Sequence, residues 1–100
     1  MKVIKGIDQM KIMIFAPVLA REEVKVKSFP KTKDRLGKLK IYSELTKETE
    51  KFEEEFGVDL SIDFTQEVPN EYDIDKTKRE QENGILILTI PAASDIKSID

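Results

Sequence analysis

The stretch that decides the fold is ENGILILTIP, residues 82–91. Its Asn83-Gly84 pair is typical of a tight hairpin turn, because both residues tolerate a positive φ angle. The run that follows is almost entirely β-branched or aliphatic, and Pro91 ends it. Side chains alternate across a strand, so the run places Leu86, Leu88 and Ile90 on one face and Ile85, Ile87 and Thr89 on the other. The pattern predicts a β-strand over 85–90 that begins at a hairpin turn.

Upstream segments of similar length repeat this strand signal. KIMIFAP, residues 11–17, is apolar on both faces, which predicts a strand in the middle of a sheet. Residues 22–27 alternate valines with lysines, and residues 37–43 do the same with Leu39 and Ile41, so both segments are predicted to be half-buried strands. The proline- and glycine-containing stretch between these two segments is predicted to be a loop.

The later part of the chain supplies two further strands. VDLSIDF, residues 58–64, alternates apolar and polar residues throughout, which predicts a strand with its apolar residues on one face. Pro69 and Asn70 indicate a turn over 68–73. DIDKTKREQ, residues 73–81, is polar, and we expect a weak edge strand or an extended segment there.

The period of the apolar residues changes over residues 44–57. Leu45, Phe52 and Phe56 recur at helical spacing among Glu and Lys residues, and Gly57 follows as a plausible helix C-cap. The segment predicts one short helix around 45–56. The alternative from composition alone is a charged, partly disordered loop.

Seven or so short strands with at most one helix predict an all-β fold, an immunoglobulin-like β-sandwich. A chain of 100 residues is long enough for one domain with a single modest core. We predict the core to comprise Met13 or Ile14, Val24, Val26, Leu39, Ile41, Ile62, Phe64, Leu86, Leu88 and Ile90.

Composition narrows the classes of function. The net charge of −3 gives no general attraction to nucleic acid or to an anionic membrane, so neither is expected as a partner. The chain has no Cys, His or Trp. Catalysis by a thiolate or an imidazole is therefore excluded, and so is a metal site with thiolate or imidazole ligands. The remaining carboxylates form no convergent cluster, and the four glycines stand apart. We therefore expect no enzyme activity, no metal and no cofactor.

The N-terminal apolar run is too short to span a bilayer and lacks a signal-peptide pattern, so a cytoplasmic protein is expected.

Four motifs occur in an order that resembles one known family. They are APVLAREEVKV at 16–26, GKLKI at 37–41, EVP at 67–69 and YDIDKTKREQENGILILTIP at 72–91. In order and spacing they resemble the small heat shock proteins, also called the Hsp20 or α-crystallin family, over residues 8–91. The resemblance divides the chain into a short N-terminal segment (1–7), an α-crystallin-like domain (8–91) and a short C-terminal tail (92–100).

The resemblance implies an α-crystallin domain and a stress-response function. The protein would be an ATP-independent holdase chaperone that binds the exposed apolar surface of unfolding proteins. The family also has a groove between the strand of Val24 and Val26 and the strand before the Asn-Gly turn, which receives an apolar tail. Carried over by position, the groove residues would be Val24, Val26, Thr77, Arg79 and Ile87, and the tail contacts would be Ile96 and Ile99.

Several positions depart from the family pattern. Val18 stands where the family has glycine, Arg79 where it has the signature alanine, and Phe64 where its prominent arginine would fall. Ile96 and Ile99 are one residue further apart than the family's tail motif. An arginine in an apolar groove disfavours tail docking, because it would desolvate a charge without a partner. We therefore expect self-association no larger than a dimer.

Other functions remain open on the same fold. One is a non-chaperone adaptor or co-chaperone, similar to the p23 and CS domains, that binds one partner through a fixed surface. Another is a small viral accessory protein that uses the sandwich for assembly or inhibition. Suppression of aggregation of several unrelated proteins would support the holdase, whereas a single stoichiometric partner would support either alternative.

Overall fold

The computed structural model describes residues 1–17 and 19–93. Its main elements are seven strands and one α-helix. In chain order they are β1 (Lys2–Lys5), β2 (Gln9–Phe15), β3 (Val24–Phe29), β4 (Gly37–Ser43), α1 (Lys47–Phe56), β5 (Asp63–Val68), β6 (Lys78–Glu82) and β7 (Ile85–Pro91). Single 3-10 turns lie at Arg21–Glu23 and Ile74–Lys76. In the described part of the chain, no helix is long and apolar enough to cross a membrane.

The strands form two antiparallel sheets, which confirms the predicted all-β sandwich. The four-stranded sheet has the order β1-β2-β7-β6, and the three-stranded sheet has the order β3-β4-β5. β2 lies between β1 and β7, so the prediction of a central strand from its two apolar faces is confirmed. Ile12 of β2 pairs with Leu88 of β7, and both are fully buried between the sheets.

Both sheets contribute to one hydrophobic core. It consists of Met10, Ile12, Ile14, Ala16, Leu19, Val24, Leu39, Ile41, Ile62, Val68, Ile74, Leu86, Leu88 and Ile90. The core prediction left Met13 and Ile14 as alternatives, and Ile14 is the one that is buried. Val26 and Phe64 were predicted to be core residues, but both are only partly buried and pack against the core from its margin. Val26 lies on an edge strand, and Phe64 lines an open cleft with Phe15 and Leu60.

The predicted hairpin turn and the predicted helix are both present. Asn83 and Gly84 have φ angles of 52° and 78° and join β6 to β7 as a two-residue turn. Helix α1 begins after Thr46, whose hydroxyl accepts a hydrogen bond from the Thr49 backbone N–H at 3.2 Å. It ends at Gly57, which adopts the left-handed conformation with φ 62°, as expected of a C-cap.

The prediction of a strand over 58–64 is wrong for most of its length. β5 begins only at Asp63, and Val58 remains 43% exposed. The backbone before β5 bonds to side chains, because Asp59 accepts from the Ser61 N–H at 2.9 Å and Glu53 accepts from the Leu60 N–H at 2.7 Å. These local bonds take the donors that a strand would use, and alternation of residue type cannot reveal them.

Other boundaries also differ from the sequence prediction. The strand predicted over 11–17 is β2, which begins two residues earlier, at Gln9, and ends at Phe15. β1 lies in the N-terminal segment, where four residues are too few to show a period. The strand predicted over 22–27 begins at Val24, because residues 21–23 form a 3-10 turn, and it extends to Phe29. The polar segment before the Asn-Gly turn does form an edge strand, but only over Lys78–Glu82.

Candidate functional site

The groove expected from the motifs lies between two edge strands, β3 of one sheet and β6 of the other. The structure brings Val24 and Arg79 to one shallow cleft of about 250 Å³ between these edges. Val24 is fully buried at the base, and Val26 is half-buried on the same face of β3. Thr77 precedes β6, and its hydroxyl donates to the Ile74 carbonyl at 2.7 Å.

Arg79 ties the two sides of this groove together. Its Nη2 donates to the Arg21 carbonyl oxygen at 2.9 Å and to Gln81 Oε1 at 2.7 Å, while Nε is buried without a partner among the described residues. Burial, and then the charge of Arg21, lower the pKa of Arg79 from its ordinary value. An arginine remains protonated even so. The sequence predicted an arginine in this groove, whereas its bond to the Arg21 backbone is a tertiary contact for which the local sequence gives no signal.

The other residues predicted for the site lie elsewhere. Ile87 is on the outer face of the four-stranded sheet, opposite Glu80 of β6, whereas Arg79 is paired with the core residue Leu88. The structure therefore does not bring Ile87 into the groove with Val24 and Arg79. The predicted tail contacts, Ile96 and Ile99, lie outside the described residues.

Ile87 instead belongs to an apolar surface, here called the outer apolar face. It consists of Met13, Phe15, Ile85 and Ile87, in which Met13 pairs with Ile87 and Phe15 with Ile85 across β2 and β7. Phe15 is 73% exposed, and the other three are half-buried. Two shallow clefts follow this face, one bordered by Glu80 and Glu82 and the other by Met1 and Lys2. The sequence did indicate exposed apolar side chains here, because the 11–17 and 85–90 segments are both apolar on both faces.

A second structural feature joins helix α1 to the sandwich. Glu23 is only 4% exposed, and its Oε1 accepts from the Thr46 hydroxyl at 2.8 Å and from the Thr49 hydroxyl at 2.7 Å. The Glu44 backbone N–H donates to the Glu23 carbonyl at 2.8 Å. The first turn of α1 is thereby fixed to the start of β3. Nothing in the local sequence around Glu23 distinguishes it from the exposed Glu22.

Burial by itself raises the pKa of Glu23, but the hydroxyl hydrogen bonds from Thr49 and Thr46 outweigh burial and lower the pKa below its ordinary value. A carboxylate with a lowered pKa in the folded state stabilises the fold at neutral pH, and this contribution is lost as the pH falls through the folded-state value. The stabilisation by Glu23 is therefore expected to be lost below about pH 4.

We expect Glu23→Gln to lower the free energy of unfolding by about 1–2 kcal/mol at neutral pH, because charge-assisted hydrogen bonds are lost. Near pH 3 the difference between variant and wild type should shrink. Urea unfolding at both pH values measures it, and Glu22→Gln is the matched control on an exposed neighbour. A difference that is equal at the two pH values would contradict an ionised Glu23 in the folded state.

Within residues 1–17 and 19–93, no group of three or more Asp or Glu side chains is placed to hold a metal ion. The two prominent surfaces of the described sandwich are thus a groove closed by an arginine and an exposed apolar sheet face. Neither brings together an acid, a base and a nucleophile.

The sandwich has the fold of the small heat shock proteins, the α-crystallin domain type, as comparison with solved structures shows. Heat shock protein 16.0 from Schizosaccharomyces pombe superposes with a TM-score of 0.68 at 24% identity, covering 99% of this chain and 71% of that one. A small heat-shock protein from Xylella fastidiosa gives 0.70 at 19% identity, covering 99% of this chain and 91% of that one. Stress-induced protein 1 from Caenorhabditis elegans gives 0.60 at 13% identity, covering 99% of this chain and 93% of that one. No protein-family model matches the sequence, and no curated protein matches it significantly.

Proposed function

We propose that this protein is a holdase chaperone of the small heat shock type. It binds the exposed apolar surface of unfolding proteins in the cytoplasm, without ATP, a cofactor or catalysis. The observation that carries the proposal is the outer apolar face, on which Phe15 is 73% exposed beside Ile85. An apolar patch of this kind on a small soluble domain marks a surface for binding other polypeptides. The fold shared with small heat shock proteins supports the same function.

The outer apolar face has the chemistry that a holdase needs. Met13 is unbranched and flexible, so it can adapt to varied apolar segments, whereas the exposed ring of Phe15 and the β-branched Ile85 and Ile87 give the face a firmer apolar surface. Polar residues border the face, with Glu80 and Glu82 on one side and Lys2 on the other. This border limits association to apolar segments that are already exposed. Phe29 and Leu36, also exposed, offer smaller secondary contacts elsewhere.

The test is an aggregation assay with two or three unrelated proteins that are unfolded by heat or by disulfide reduction, without nucleotide. The wild type is expected to delay aggregation at a few-fold molar excess. The double variant Phe15→Thr/Ile87→Thr should require about tenfold more protein for equal protection, since burying even one such side chain contributes about 1.5 kcal/mol or more. Threonine retains strand propensity, so the sheet should persist.

Ile7→Thr/Val58→Thr is the matched control, because it removes two exposed apolar side chains away from the outer apolar face. It should protect as well as the wild type. Equal loss in both double variants would assign binding to general surface hydrophobicity. Failure of the wild type to protect any of the proteins would leave the single-partner adaptor as the better function.

Assembly gives a separate prediction. Small heat shock assemblies of a dozen or more subunits would need an apolar groove, and here Arg79 occupies the groove and bonds across it. An aliphatic side chain docked there would desolvate the guanidinium without a paired carboxylate, which is unfavourable. We therefore expect a monomer or dimer. Light scattering over a concentration series measures the mass, and twelve or more subunits would show that the groove assignment is wrong.

A further inference from the structure

Charge is unevenly distributed along this chain, and the fold gathers much of the positive charge in one hairpin. Residues 25–42 include nearly all of β3 and β4 and the loop between them. They hold seven of the 17 basic residues and one of the 20 acidic residues. The hairpin therefore carries a formal charge of +6 and the rest of the chain −9, a separation that the net charge of −3 conceals.

The outer surface of this hairpin, here called the lysine face, carries four of the cations and two aromatic rings. It consists of three rows of directly paired residues on β3 and β4, namely Lys25 with Tyr42, Lys27 with Lys40, and Phe29 with Lys38. The two lysines of the middle row are exposed. None of the four lysines forms a salt bridge with another residue in the described part of the chain. Their charges are thus available to an external anion.

Cations and rings are interleaved on the lysine face. The Lys27 and Lys40 Nζ atoms lie 5.7 and 5.6 Å from the Tyr42 ring centroid, and the Lys38 Nζ lies 5.6 Å from the Phe29 centroid. A base stacked on either ring would therefore have an ammonium group near its own phosphate. Aromatic rings that stack bases, beside cations that hold the backbone, are how proteins bind an unpaired nucleic acid strand.

The surroundings of the lysine face give such a strand a direction. On β5, Asp63 is paired with Tyr42 and Glu67 with Lys38, so carboxylates border the face on that side. At the Phe29 end the chain enters a loop whose backbone turns at a hydrogen bond of 2.9 Å from the Thr32 N–H to the Arg35 carbonyl. This loop adds three exposed cations, Lys31, Lys33 and Arg35. A polyanion is therefore favoured over β3, β4 and the loop, and disfavoured over β5.

We propose that the lysine face binds single-stranded RNA, with its lysines on phosphates and with Tyr42 and Phe29 stacked on bases. Thr65 lies exposed beside Lys40 and offers a hydroxyl to the ribose 2′-hydroxyl, the group that separates RNA from DNA. The rings favour RNA over an anionic membrane, because Tyr42 is half-buried on the central strand and cannot insert into a lipid layer. The site does not depend on the holdase function, since the outer apolar face belongs to the other sheet.

Fluorescence anisotropy with a labelled oligouridine of about 15 nucleotides, near the upper site size of single-strand-binding folds, tests the proposal. The wild type is expected to bind with a Kd of roughly 1–100 µM at about 0.1 M salt. Lys27→Gln/Lys40→Gln should weaken binding about tenfold, and should reduce the slope of log K against log salt by about 1.4, because two phosphate contacts are lost. Tyr42→Leu should weaken binding about fivefold or more with the slope unchanged, because only stacking is lost.

Matched variants separate the lysine face from net charge and from folding. Lys2→Gln/Lys5→Gln makes the same charge change on β1, an edge strand of the other sheet, and should bind RNA like the wild type. Tyr42→Phe keeps an aromatic ring and should retain binding, whereas a merely structural role of the phenol would not be rescued. Phe15→Thr/Ile87→Thr, the variant of the holdase test, should also bind RNA normally.

Several results would overturn the proposal. They are a wild type that does not bind the RNA at about 0.1 M salt, equal losses in the β1 variant, and full binding by Tyr42→Leu. Equal affinity for single-stranded DNA or for duplex RNA would also contradict it, since neither offers both a 2′-hydroxyl and unpaired bases. Equal competition by polyglutamate would reduce the face to a general anion site. Binding to phosphatidylserine vesicles without binding to RNA would assign it to an anionic membrane.

Discussion

Replacing Leu88 by alanine is expected to lower the free energy of unfolding by about 2–5 kcal/mol. Leu88 is fully buried at the centre of β7, paired with Ile12 on one side and with Arg79 on the other. Truncation would leave a cavity among close-packed neighbours from both sheets, and a sandwich of this size has little stability to spare. The melting temperature and urea midpoint should both fall.

Ile87→Ala is the natural comparison, because it removes the same number of carbons from the neighbouring position on the outer face. Ile87 is only half-buried there, so its loss should cost roughly 1 kcal/mol. If the Leu88 variant lost less than about half a kcal/mol, the two faces of β7 would be reversed relative to the core.

Gly84→Ala is expected to destabilise the fold by roughly 2–5 kcal/mol, because two costs add. Gly84 has φ 78°, where an L-residue is strained by about 1–2 kcal/mol. A Cβ atom built there would lie 2.6 Å from the Pro17 Cα, so the backbone after β2 would have to move. That movement would also disturb the 2.6 Å hydrogen bond from the Ala16 N–H to the Gly84 carbonyl, and overpacking of this kind adds about 1–3 kcal/mol.

Gly57→Ala isolates the conformational part of this cost. Gly57 has a similar φ of 62°, but a Cβ there would meet no atom within 4 Å. Gly57→Ala should therefore lower the free energy of unfolding by only about 1 kcal/mol. Equal effects of the two substitutions in thermal and urea unfolding would show that the close approach to Pro17 contributes nothing.

The candidate site was only partly predictable. The motif order placed Val24 and Arg79 on facing edges, and the structure brings them to one cleft. It places Ile87 on another surface, because the 85–90 segment is apolar on both faces and the pattern alone does not say which face meets the groove. The outer apolar face needs β2 beside β7, and this pairing joins residues 70 or more positions apart, such as Phe15 and Ile85. Neither segment carries a local signal for the other as its partner.

By itself the sequence determined the strands, the hairpin turn and the helix of this protein wherever a local cause was sufficient. Alternation sets the buried face of a strand, Asn83-Gly84 permits positive φ, and the spacing of Phe52 and Phe56 defines one helix face. Only the tertiary structure decided that residues 58–62 are not a strand, that Glu23 is buried beneath the first turn of α1, and that Arg79 bridges the groove. The bonds of Glu23 and Arg79 join groups distant in the sequence that folding brings together, and a local pattern carries no information about such partners. Residues 58–62 are instead held by short-range bonds from Asp59 and Glu53 side chains, which the alternation of residue type does not reveal.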